Sequence, residues 1–320
     1  MLKILLLLLV SNQAFSQVTP KVVEKPWKFS GSLGGSFSWT ATQNFVGVSS
    51  NNPSVTPSLH SHLELKYRED VHEWRNNLGI ILGYTYFPPP SAWIKTSDTL
   101  KINTIYLYHQ LPWFGYFSSV SLNTSIFPGK SIEGGSNTYI ITDVVTNKKV
   151  STVTAASLHL SNAFAPLFLE QWAGVFAQFI DKPEVFLELR LGAAVRENFG
   201  HGQKAITCNG PCNANYILVQ QLANVYELGP GAGILFKTQF WNNKLSYRLD
   251  FDTIWAILQT PEIKPTGSWS RFSFDLSSTL GFNLLSWLTL NWTLRALQNP
   301  AVLDNVQYLS NLSLAINFPI

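Results

Sequence analysis

From Trp27 onward the chain alternates apolar and polar side chains with a period of two, in segments each about as long as a strand. The last segment shows the pattern most plainly. Val306, Tyr308, Leu312, Leu314, Ile316 and Phe318 occupy one side, while Gln307, Asn311, Ser313 and Asn317 occupy the other. Successive side chains of a strand point to opposite faces, so such a segment has one apolar and one polar wall. Repeated along a chain, this forces a sheet that divides two environments.

Eleven further segments follow the rule. The first sets Trp27, Phe29, Leu33, Phe37 and Trp39 against Lys28, Ser30, Ser32, Ser36 and Ser38, with a Trp at each end. Strands are predicted near 58–68, 74–86, 100–111, 116–127, within 164–179, from 185 to 195, and near 228–240, 244–255, 271–283 and 288–295. The segment within 164–179 is apolar nearly all round, so its bounds are the least defined. Pro230 predicts a bulge near the start of its strand. Short turns at 69–73, 112–115, 180–184, 241–243 and 285–287 alternate with longer links at 40–57, 87–99, 128–163, 198–227, 256–270 and 298–305. Strict short–long alternation and an even strand count predict an all-β fold: a transmembrane antiparallel up-and-down β-barrel of about twelve strands, with short periplasmic turns and long extracellular loops.

The apolar wall is predicted to face outward. Twelve strands of Trp, Tyr, Phe and Leu would overfill one barrel interior, and the other wall is too poor in Lys and Glu for a water-exposed surface. Charged residues are only 13% of the chain, equal to the aromatic share, against about 25% in soluble proteins. The net charge of +3 gives no footprint for nucleic acid. Met1–Ser16 reads as a signal peptide, with Lys3, an apolar Ile4–Val10 stretch and Ala14-Phe15-Ser16 before the cleavage point. A periplasmic lead at 17–26 and one barrel domain at 27–318 follow. The predicted location is the bacterial outer membrane, where lipid and lipopolysaccharide are the contacting partners. Cys208 and Cys212, in an exported chain, predict a local disulfide. With His201 alone beside them they make no full metal set.

Several motifs carry a family resemblance: Gly34-Gly35-Ser36-Phe37-Ser38-Trp39, Thr42-Gln43-Asn44-Phe45, Trp74-Arg75-Asn76-Asn77-Leu78, Lys95 through Ile102, Phe127-Pro128-Gly129, and Leu160 through Pro166. Together they resemble an uncharacterised family of outer-membrane barrels of Bacteroidetes-type bacteria, catalogued as a domain of unknown function. The resemblance implies a signal peptide and a barrel, with no agreed activity. The segment between Gly129 and Leu160 is longer than that pattern, and Pro319-Ile320 extends past the terminal aromatic.

Alternation places Glu64, Lys66, Arg68, Arg75, Lys101, Glu188, Arg190, Arg196, Lys237, Lys244, Arg248, Asp250, Asp252, Arg271, Asp275 and Arg295 on the inner wall. Bases outnumber acids there, which predicts either a narrow passive channel for small solutes with a mild anion preference or a salt-bridged structural plug. A second candidate chemistry lies in His159-Leu160-Ser161-Asn162. His159 would serve as base, Ser161 as nucleophile and Glu170 as orienting acid of a lipid-facing esterase, a stretch similar to those of outer-membrane phospholipases and lipid A deacylases. A third reading makes the loops 128–163 and 198–227 a dock for a protein partner, either a surface lipoprotein or a secretion or assembly complex. His60 and His62 share a face but find no third ligand in the sequence. No cofactor motif and no catalytic carboxylate pair stand out.

Overall fold

The computed structural model describes residues 26–43, 54–87, 92–207, 216–261, 271–299 and 303–319. The signal peptide and both cysteines lie outside these residues. Among the described residues seventeen strands run in chain order. Twelve form a closed antiparallel ring: β1 (Trp27–Gln43), β2 (Ser54–Glu69), β3 (His72–Phe87), β4 (Ala92–Leu111), β5 (Phe114–Thr124), β8 (Leu167–Asp181), β9 (Val185–Phe199), β12 (Asn224–Phe240), β13 (Leu245–Trp255), β15 (Phe272–Leu285), β16 (Leu288–Asn299) and β17 (Leu303–Pro319). The ring closes where β1 pairs with β17, and with β12 on β13 every one of the twelve has a neighbour on both sides, so among the described residues no strand of the ring is an edge strand.

The apolar wall faces out. Trp27, Phe29, Leu33, Phe37 and Trp39 are all exposed, as are Trp74, Tyr106, Tyr116, Trp255, Trp292, Tyr308 and Phe318. Aromatics gather near both ends, as interfacial belts require; at the short-turn end Trp27 stacks near Tyr67 and Trp74, at 4.8 and 6.3 Å. Most strands are longer than the ~9–11 residues that cross a bilayer, so their long-loop ends project beyond it.

Two predicted features are corrected. The register of β12 on β9 runs unbroken through Pro230, with no bulge there. The irregularity falls instead on the other neighbour: β13 stops at Trp255 and pairing with β12 resumes at β14 (Leu258–Thr260). Proline has no N–H to offer, so the adjacent chain departs rather than β12 itself.

The links 128–163 and 198–227 also contain strands. β6 (Gly129–Asp143) and β7 (Lys149–Ser161) form a hairpin, β11 (Ile217–Gln221) runs parallel to β6, and β10 (Lys204–Ile206) adds to β11. The outer strands β7 and β10 come back into contact, so this sheet is rolled. Its core is Tyr139, Ile141, Leu158, Leu160, Ile217 and Val219, with Val153, Ala155 and Ile206 packed against it. Ala205 and Leu222 rest on Phe168, an inward-facing residue of β8, so the base of the roll leans over the lumen mouth.

Candidate functional site

The site is the lumen, and its wall has two unlike halves. From β3 round to β13 the wall carries the large buried side chains. Along β8 the inward residues run Glu170, Trp172, Gly174, Phe176 and Gln178 from the long-loop end, and along β9 Arg196, Ala194, Arg190 and Glu188. An apolar layer of Ile105, Leu107, Phe117, Trp172, Phe176, Ala194 and Ile254 fills this side.

Ion clusters bracket that layer. Toward the short turns, Glu73 is fully buried and holds Lys66 at 2.8 Å, Arg75 at 2.6 Å and His109 at 3.0 Å. Arg75 then crosses from β3 to β9, donating to Glu188 at 2.9 Å, which also accepts from Gln178 at 3.0 Å. The Arg75 guanidinium and the Lys237 ammonium both sit over the Phe186 ring, at 5.6 and 5.9 Å. Toward the long loops, Arg196 donates to Glu170 and to the Ser273 hydroxyl, each at 2.7 Å, with Glu227 at 3.8 Å. Arg190 lies 3.5 Å from Asp252, and Arg68 lies 3.4 Å from Asp181 at the rim. A charge inside a barrel is stable only when paired and hydrogen-bonded, which explains why these groups cross the lumen to meet.

The opposite half, β15, β16, β17, β1 and β2, presents mostly small polar groups, with Glu64, Lys66 and Arg68 confined to the short-turn end of β2. Ser32, Ser36, Ser58, Ser277, Thr279, Thr289, Thr293 and Ser313 line it, half-buried, with the carboxamides of Asn291, Asn311 and Asn317. Asn317 donates to Thr289 at 2.9 Å and bonds the His60 ring at 2.7 Å. That last bond passes over β1 at Gly34, where an added Cβ would sit 2.7 Å from the His60 Nε2 and 2.0 Å from the Ile316 carbonyl oxygen. Only glycine leaves room for it. On this half Arg295 pairs with Asp275 at 2.5 Å, and next to it on β13 Arg248 pairs with Asp250 at 2.6 Å.

Most of the sequence-predicted charges therefore do line the lumen, but the expected basic excess is corrected. Lys244 and Arg271 fall in links rather than on the wall. Glu73, Glu170 and Glu227 join the wall as acids. The alternation rule would have caught Glu73 had β3 been started two residues earlier, in step with Arg75. Glu170 was hidden in an apolar stretch without a visible face, and Glu227 in what read as a loop. Among the described residues, Glu64, Lys101 and Lys237 have no ion-pair partner.

The esterase constellation is not assembled. Ser161 is buried at the end of β7, where its hydroxyl accepts from the Gly129 amide at 3.1 Å. His159 bonds Asn162 at 2.9 Å, and a register shift separates the two side chains. Glu170 is held inside the barrel by Arg196 and by the Trp172 indole N–H at 2.7 Å. Among the described residues no group of three or more His, Cys, Asp and Glu gathers around a common point.

A closed ring with an apolar outer wall, aromatic belts and a polar interior defines a transmembrane β-barrel. The sequence matches no protein-family model and no curated protein. Among solved structures it is similar to an outer membrane channel of Pseudomonas putida F1, at 12% identity over 94% of this chain and 100% of that one, TM-score 0.40. It is also similar to the P. putida toluene transporter TodX, at 10% identity over 91% of this chain and 89% of that one, TM-score 0.35. A further similarity is to the transport unit of the Escherichia coli autotransporter AIDA-I, at 11% identity over 98% and 97% of the two chains, TM-score 0.35.

Proposed function

We propose that the protein is an outer-membrane barrel of the uncharacterised Bacteroidetes type and acts as a narrow passive channel. The observation that carries this reading is the divided lumen: one half is filled by the apolar layer and cross-lumen ion pairs, while the other is lined by half-buried hydroxyls and carboxamides that suit a column of water. Unpartnered buried atoms point the same way. His109 Nδ1, Gln178 Oε1, Arg190 Nε and both carboxamide atoms of Asn198 lack hydrogen-bond partners among the described residues, yet all belong to inward-facing side chains. Leaving such groups dry costs roughly 1–3 kcal/mol each, so interior water is the natural partner.

Purified protein in planar bilayers should give small, steady conductance steps. The double variant Trp172→Ala, Phe176→Ala should enlarge them by removing the apolar layer. Absence of any conductance in the wild type and in this variant would overturn the channel reading. A second reading, docking of a protein partner on the long-loop side, is favoured by the roll. Co-purification of a partner that is lost on removing residues 129–161, with conductance absent throughout, would support it instead.

A further inference from the structure

We propose that the path through this barrel selects small uncharged hydroxylated solutes, of the polyol and simple-sugar class, rather than ions of either sign. The inference rests on the channel reading above and deepens it by naming what passes. Ion selectivity needs a surplus of one sign facing the path. Here the charges that could provide it are consumed in internal pairs. Arg196 is shared by Glu170 and Glu227, Arg75 by Glu73 and Glu188, Arg190 faces Asp252, and Arg295 grips Asp275 through two hydrogen bonds of 2.9 and 2.5 Å. Three inward charges have no ion-pair partner among the described residues, Glu64, Lys101 and Lys237, and these act at longer range on charges of opposite sign, Glu64 on Lys237 and Lys101 on Asp275. What remains for a solute to touch is the small polar half.

That half is chemically suited to hydroxyl groups. Ser and Thr hydroxyls donate and accept, and Asn carboxamides do both at separate atoms, so a guest bearing several hydroxyls can exchange its hydration shell group for group. The wall carries separate hydrogen-bonded groups of this kind: Ser36 with Ser58 at 2.7 Å, Thr279 with Thr293 at 3.1 Å, and Thr289 through Asn317 to His60. At the long-loop end of the crowded half, Asn198 is nine-tenths buried or more and neither its Oδ1 nor its Nδ2 has a protein partner among the described residues.

The experiment combines two measurements on the full barrel. In liposome-swelling assays, glycerol, arabinose and glucose should enter protein-loaded vesicles faster than empty ones. In planar bilayers across a KCl gradient, the reversal potential should lie near zero. The variant Asp275→Asn frees Arg295 on the small polar half and should move that potential toward chloride, while Arg295→Gln should move it toward potassium. Ion conductance with strong selectivity in the wild type, or with exclusion of all three polyols, would overturn this inference and leave the channel reading standing. Failure of both ions and polyols to pass would overturn the channel reading itself.

Discussion

Glu73 shows what one side chain contributes inside this barrel. Fully buried, it is the common acceptor for Lys66, Arg75 and His109, and through Arg75 it is joined to Glu188 on the far wall. Glu73→Ala takes the carboxylate away from Lys66 and His109 and leaves Arg75 with Glu188 alone, and loss of one partner of such a buried set costs about 3–5 kcal/mol. Urea unfolding in lipid vesicles, followed by tryptophan fluorescence, should register a loss of that order. The exposed Arg68–Asp181 pair should contribute far less, because solvent screens it. In the roll, Asp143 accepts from the backbone amides of Thr146 and Val145 and from the Thr146 hydroxyl, which together hold its carboxyl below the ordinary carboxylate range. A folded-state pKa that is depressed gives stability present above the unfolded value and lost as pH falls through the folded one. Amide exchange at Val145 and Thr146, corrected for intrinsic rates, should therefore accelerate in acid, and Asp143→Asn should show the faster exchange already at neutral pH.

At the scale of the strand, the outer wall was legible because lipid accepts only one kind of side chain, so every spanning segment had to alternate. Leu33 lies midway between Trp27 and Trp39 and is exposed; Leu33→Arg places a charge near the bilayer midplane at a cost of about 2–4 kcal/mol, measurable as a lower urea midpoint in vesicles. The inner wall was only half legible. Alternation identified Arg75, Glu188 and Arg196 as inward, but no periodicity tells which strand a long side chain will reach across to. Trp172 and Phe176 could not be assigned a face, since Phe164–Phe179 is apolar on both, and here the inward row packs on itself rather than facing water. The roll was missed for a related reason. Its strands bury one face against each other outside the membrane, so they need no lipid-facing wall, and residues such as Thr152, Val153 and Thr154 carried too weak a contrast.

Taken whole, the molecule is a closed ring whose charges nearly cancel within it, standing beneath a rolled sheet made from two of its own connections. The roll's core is separate from the lumen's apolar layer, so Tyr139→Ala, which removes the largest buried side chain of the roll, should loosen the roll at a cost of roughly 3–5 kcal/mol, as for other buried aromatics. Protease sensitivity should then rise within 129–161 while the barrel keeps its resistance and its sheet dichroism. The pairing of β11 beside β6 has a consequence for how the chain assembles. The hairpin β6–β7 needs only neighbouring residues, but its third member is supplied from beyond β8 and β9, with Ile217 lying 78 residues after its partner Tyr139, and pairings between distant residues form slowly. The cap over the mouth is therefore completed late, after two more wall staves have been laid, and an unfinished barrel stands open at the top.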